Sequence, residues 1–216
     1  MGIDPSARQP RMKIMRWLCA FVLAIGFAGC GGCFGPDVSG PAREIVSETM
    51  EKDGDTWKVQ FVSTFDAPVD KVYEAFSKPE ASKEFAPENV LKSELVKQEG
   101  NTKVVDIVGR LDILPPGFKV QNLRNEFVFY PDEKRFTQKT IDFPLADLSA
   151  EFKFAPTPDG KGTVLTFDQT SKTKSAMLVD SLQKGALRET YITQVRVVNK
   201  MLGLDQEKAA PTDTQG

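Results

Sequence analysis

The chain contains no histidine in 216 residues. That absence excludes Ser-His-Asp and Cys-His nucleophile pairs, imidazole general bases and His-ligated zinc, iron or copper sites. Cysteine is nearly absent too. Cys19, Cys30 and Cys33 all fall in the first sixth of the chain, so the remaining body has neither a disulfide framework nor a thiolate metal cluster. No surplus of basic charge exists either. Lys and Arg number 28 against 30 Asp and Glu, which gives nucleic acid no electrostatic foothold. The body must therefore stand on an apolar core. Phenylalanine supplies it: twelve of fifteen lie between Phe61 and Phe167, each contributing roughly 1.5–3 kcal/mol when fully buried.

The N-terminal residues read as an address. A short positive stretch carries Lys13 and Arg16, and residues 17–29 follow without a charge. Thirteen residues are too few to span a bilayer, which takes about 20, and they fit the apolar region of a signal peptide. The run ends in Phe27-Ala28-Gly29-Cys30, which resembles the lipobox of bacterial lipoproteins, with Phe27 where Leu is usual. The resemblance implies cleavage before Cys30 and its attachment to the membrane through acyl chains, each buried CH₂ contributing about 0.8 kcal/mol. Gly31, rather than Asp, implies the periplasmic face of the outer membrane if the host is Gram-negative. The other reading of Cys30-Gly31-Gly32-Cys33 is a redox or metal pair, but such pairs belong at a strand-to-helix turn. Residues 1–29 are thus expected to be a signal peptide, with translation starting at Met12. Their removal takes away four basic residues and one acid and moves the formal charge from −2 to −5.

Residues 30–55 read as the lipidated cysteine and a flexible linker rich in Gly-Pro and Asp-Gly pairs, in which 42–51 could form a helical turn or a strand. Residues 56–203 form the one folded domain, and the polar tail 204–216 is expected to be disordered. Inside the domain, Trp57, Val59, Phe61 and Phe65 alternate along a strand. Pro68 opens a helix bearing Val69, Val72, Tyr73 and Phe76, and a second short helix covers 79–85. Six strands follow at 90–98, 102–111, 122–130, 135–143, 147–155 and 163–171, joined by short turns as an antiparallel meander. Leu178, Leu182, Ala186, Leu187, Tyr191, Val195, Val198 and Leu202 recur at helical spacing, predicting an amphipathic helix over 174–202 of about 43 Å. Gly203 is its stop, and mid-helix Gly185 calls for a close approach or a bend.

This order of elements, with Phe65-Asp66-Ala67-Pro68-Val69-Asp70-Lys71-Val72-Tyr73-Glu74-Ala75-Phe76 and Ala86-Pro87-Glu88-Asn89-Val90 within it, resembles the START-like superfamily of polyketide cyclases, dehydrases and lipid carriers. The resemblance implies an α+β helix-grip fold: a curved antiparallel sheet of about seven strands around the C-terminal helix, with an apolar cavity between. A sheet and a helix with one apolar face each must in any case bury those faces on one another.

Alternation assigns an inward face to Leu123, Phe127 and Phe129, to Leu148, Phe152 and Phe154, and to Leu165 and Phe167. Each is either plain core or cavity wall, and Val195 on the helix belongs with them. Asn125 is the polar exception, orienting a ligand or satisfying a backbone group. Tyr191 points its hydroxyl into the cavity or meets a core partner. Loop residues Leu114, Pro115, Pro116 and Phe118, beside Ile113, form a gate or tuck back onto the core. Asp106 and Arg110 share one strand face as a surface ion pair. No metal site, phosphate loop or cofactor motif is found. The reading is an exported, lipid-anchored binding protein for a hydrophobic small molecule such as a lipid or isoprenoid, without chemistry. The alternatives are a cyclase or dehydratase using Asp, Glu, Lys or Tyr in the cavity, and an interaction module whose cavity has collapsed below about 300 Å³.

Overall fold

The computed structural model describes residues 45–174 and 179–204. Eight strands form one antiparallel sheet: β1 Ser47–Asp53, β2 Thr56–Phe65, β3 Val90–Glu99, β4 Thr102–Arg110, β5 Val120–Tyr130, β6 Arg135–Asp142, β7 Ala146–Pro156 and β8 Thr163–Thr173. Their spatial order is β1-β2-β8-β7-β6-β5-β4-β3. Between β2 and β3 lie α1 (Val69–Phe76), a 3₁₀ turn at Pro79–Ala81 and α2 (Ser82–Phe85), and α3 (Asp180–Leu202) closes the domain. This is the helix-grip architecture, a curved sheet holding a long terminal helix.

The expected strands and short helices are present, and two elements differ from expectation. Strand β1 takes the strand alternative offered for 42–51 but runs over 47–53, inside what was otherwise expected to be a flexible linker. Its sequence, Ser-Glu-Thr-Met-Glu-Lys-Asp, has one apolar residue, so no alternation marks it. Its signal is the turn: Asp53-Gly54-Asp55 returns the chain into β2, with Gly54 at φ +59°, a conformation that suits glycine in tight hairpins. Helix α3 spans 23 residues, about 35 Å, and begins six residues later than expected. Lys174 is held instead as a continuation of the sheet, its N–H donating to the Leu145 carbonyl at 2.8 Å. Val179 is extended, and Leu178 falls outside the described residues.

Helix α3 ends as expected. Gly203 takes φ +67°, and the Leu204 N–H reaches back to the Asn199 carbonyl at 2.8 Å. That satisfies a carbonyl the helix end would leave bare. Gly185 marks a close approach, because a Cβ there would stand 3.0 Å from Ile113 Cδ1. The β4–β5 loop therefore lies against α3. At the other end, α1 turns Val72, Tyr73, Ala75 and Phe76 into the core.

Candidate functional site

Register decides what lies inside the grip. Across β2, β8, β7 and β6, Phe61 faces Phe167, Phe167 faces Phe152, and Phe152 faces Phe136. This aromatic row, at the α1 end of the sheet, is solid. Phe136 and Phe152 stack at 4.2 Å, Phe152 meets Phe167 edge-on at 4.7 Å, and Tyr191 of α3 covers Phe61 at 4.8 Å. One pleat further on, the same strands present Val59, Gln169, Ala150 and Gln138. Beyond them come Ser171 and Leu148. Replacing rings by these shorter side chains leaves space unfilled, because close packing needs matched volumes on both sides.

That space is a partly open cleft of about 210 Å³. Its sheet side carries Ile107, Leu123, Ala146 and Leu148, its helix side Leu182, Ala186, Leu187 and Val197, and its loop side Leu111, Leu114, Phe143 and Leu145. Arg110 is the one ionisable side chain among the described residues on its wall. A shallower recess of about 750 Å³ occupies the outer sheet face, lined by polar residues such as Lys58, Gln60, Lys139 and Asp168. Its groups engage one another, as in the 2.8 Å bond from Gln60 to Asp168.

Of the residues expected on a cavity wall, Leu123, Asn125 and Leu148 line the cleft. Phe127, Phe129, Phe152, Phe154, Leu165, Phe167, Tyr191 and Val195 instead belong to the buried core. Their rings fill one another's space, so alternation placed them on the correct face but not beside a void. Tyr191 is 1% exposed. Its hydroxyl shares a 2.7 Å hydrogen bond with Ser63 Oγ, and burial pushes its ionisation well above the ordinary phenol range. The residues of the 111–119 loop are placed differently from one another. Leu114 is buried and faces the cleft, whereas Pro115 and Pro116 are exposed and Phe118 is half-buried away from it. Cys30 lies outside the described residues.

Asp106 does not pair with Arg110. Cross-strand register sets it opposite Arg124, which donates from Nε at 2.7 Å and from its terminal nitrogen at 2.8 Å. This bond holds the Asp106 carboxyl below the usual carboxylate range and leaves Arg110 for the cleft rim.

Alternation alone missed the amides. Gln121, Gln138, Gln169, Gln183 and Gln194 join Asn125 on the cleft wall. Gln183 is engaged, accepting from Trp57 Nε1 at 2.9 Å and from Thr173 Oγ1 at 2.8 Å. Asn125 is 2% exposed. Its Oδ1 accepts from Thr140 Oγ1 at 2.7 Å and from Gln138 Nε2 at 3.3 Å. Thus it bonds to side chains rather than to the backbone. Among the described residues no acceptor takes a hydrogen bond from its Nδ2. Asn125 Nδ2 is not among the sealed atoms without a partner, so this donor opens onto the cleft that Asn125 lines.

Comparison with known proteins agrees with this architecture. No curated protein matches the chain. Among solved structures, the Zhui aromatase/cyclase from Streptomyces sp. R1128 is similar at 18% identity and TM-score 0.56, over 69% of this chain and 93% of that one. A protein of Thermus thermophilus is similar at 16% identity and TM-score 0.60, over 69% and 99%. A START superfamily protein from Mycobacterium smegmatis is similar at 14% identity and TM-score 0.54, over 68% and 97%. At these identities the likeness is one of fold. The family model described as polyketide cyclase / dehydrase and lipid transport matches residues 56–191, from β2 into α3, and the chain belongs to that family.

Proposed function

We propose that the domain is a non-catalytic carrier or sensor that holds a hydrophobic small molecule in the cleft beneath α3. The carrying observation is the wall itself: aliphatic on sheet, helix and loop sides, with Arg110 as its one ionisable member among the described residues. Apolar burial with a few convergent polar groups is how such sites bind. A volume of about 210 Å³ suits a single slender chain or a small ring, since a water-sized group occupies about 30 Å³. A bulky polycycle would not fit. The family description covers both cyclisation and lipid transport. General acid–base chemistry needs a titratable group within hydrogen-bond reach of the substrate, and no Asp, Glu, Lys or Tyr among the described residues lines the cleft. Export and tethering through an acylated Cys30 complete the reading, placing the cleft near lipid.

Leu148→Trp tests it. The indole would fill the cleft from the β7 side while leaving the aromatic row untouched. Lipids extracted from the purified full chain and from this variant should differ by one class of small apolar molecule, lost in the variant at unchanged circular dichroism. Identical extracts would reject the cleft as a binding site. That outcome would favour the interaction-module reading, which a volume below about 300 Å³ supports.

A further inference from the structure

The cleft has a direction. Its most buried polar residue, Asn125, lies in the middle of β5, opposite Val105 on one side and Thr140 on the other. Gln138 and Gln169 flank Ala150 in the adjoining pleat, and the aromatic row closes the space behind them. Nearer the strand ends the wall turns aliphatic through Leu123, Leu148, Leu145 and Leu111. Asn125, Gln138 and Gln169 therefore lie at the inner end, whereas Gln121 and Gln183 nearer the loops are already bonded, to the Phe118 carbonyl and to Trp57 and Thr173.

The hydrogen bonds set the charge and polarity of what fits there. Asn125 Oδ1 is already occupied by Thr140 and Gln138, so the group left to a ligand is the Nδ2 donor. A donor needs an acceptor oxygen. A carboxylate or phosphate would have to be buried beside Asn125 without a counter-charge. Arg110 stands five residues along β4 from Val105, about 17 Å at strand rise, and burying an unpaired charge is prohibitive.

Resting on the cleft being the binding site, we propose that the ligand enters polar end first and that this end is an uncharged carbonyl or hydroxyl oxygen accepting from Asn125 Nδ2. Its hydrocarbon part then runs outward past Leu123 and Leu148 toward the 111–119 loop. The opposite orientation, with an anionic head held at Arg110 and the tail inward, is the arrangement this assignment excludes.

Binding of nonane, 2-nonanone and nonanoate to the full chain separates these arrangements, with Trp57 fluorescence as the readout because Trp57 bonds to Gln183 of the cleft wall. In Asn125→Leu, 2-nonanone should bind about five- to tenfold more weakly and nonane within about twofold of wild type. Nonanoate should be the weakest wild-type ligand. The carbonyl infrared band of 2-nonanone bound to wild type should shift to lower frequency than in hydrocarbon solvent, a measurement that does not depend on the variant folding. A carbonyl band at its hydrocarbon position, equal weakening of ketone and alkane, or tightest binding by nonanoate would each overturn the assignment. If none of the three probes binds, the cleft itself is rejected as a site, and this inference goes with it.

Discussion

Tyr191 shows how one polar atom is accommodated inside an aromatic core. Its ring lies 4.8 Å from Phe61 and 4.9 Å from Phe167, and its hydroxyl meets Ser63 Oγ, itself fully buried. Burial raises the phenol's ionisation above its value of about 10 in an unfolded chain. Above pH 10 the unfolded state therefore gives up its proton first, and folding stability falls as pH rises further. One proton corresponds to about 1.4 kcal/mol per pH unit. Tyr191→Phe should cost about 1 kcal/mol at pH 7 through the lost hydrogen bond. It should also flatten part of the decline above pH 10, as seen in urea midpoints at pH 9 and 11. An unchanged alkaline slope would mean that the phenol ionises without unfolding the core. Asn125 is the contrasting case, since its donor faces the cleft rather than a partner.

Among the elements, β1 is the addition. It lies outside the family match at 56–191, yet it makes one edge of the sheet and reaches α3 with both ends. Glu48 Oε2 accepts from Arg188 Nε at 2.9 Å, where Arg188 is 8% exposed, and Lys52 pairs with Asp180 at the start of the helix. Met50 between them, and Ile45 just before the strand, pack on the core. Strand β1 thus straps the first turns of α3, the same turns that carry Leu182 and Ala186 of the cleft. Glu48→Ala should lower stability by about 1 kcal/mol, modest because the carboxylate is partly exposed. Arg188→Ala should cost more because its buried stem also packs. Equal stability of all three proteins in urea would show that β1 bears no load on the helix.

For the whole molecule, the proposed tether and cleft act together. The acidic body has no electrostatic reason to stay at an anionic lipid surface, so an anchor would keep the cleft within reach of membrane lipid. Cys30→Ala should yield a chain without acyl mass that leaves the membrane fraction on washing. Acylation that persists in this variant would remove Cys30 from the proposal.

Sequence alone settled the inward face of the core-forming strands and, to within a residue or two, most strand ends, because alternation of aromatic and polar residues marks them. It settled the start of α1 at Pro68 and the stop of α3 at Gly203, where backbone conformation allows little else. It left β1 undecided between a strand and a helical turn, since one methionine among six polar residues produces no period. It also could not separate filled core from open cleft: Phe152 and Leu148 lie on the same face of β7 and are alike in period. Whether a residue meets a ring or a void depends on the summed volumes contributed by four strands, a helix and a loop that are distant in the chain. Those volumes, and the unpartnered donor of Asn125 among them, were decided only by tertiary packing.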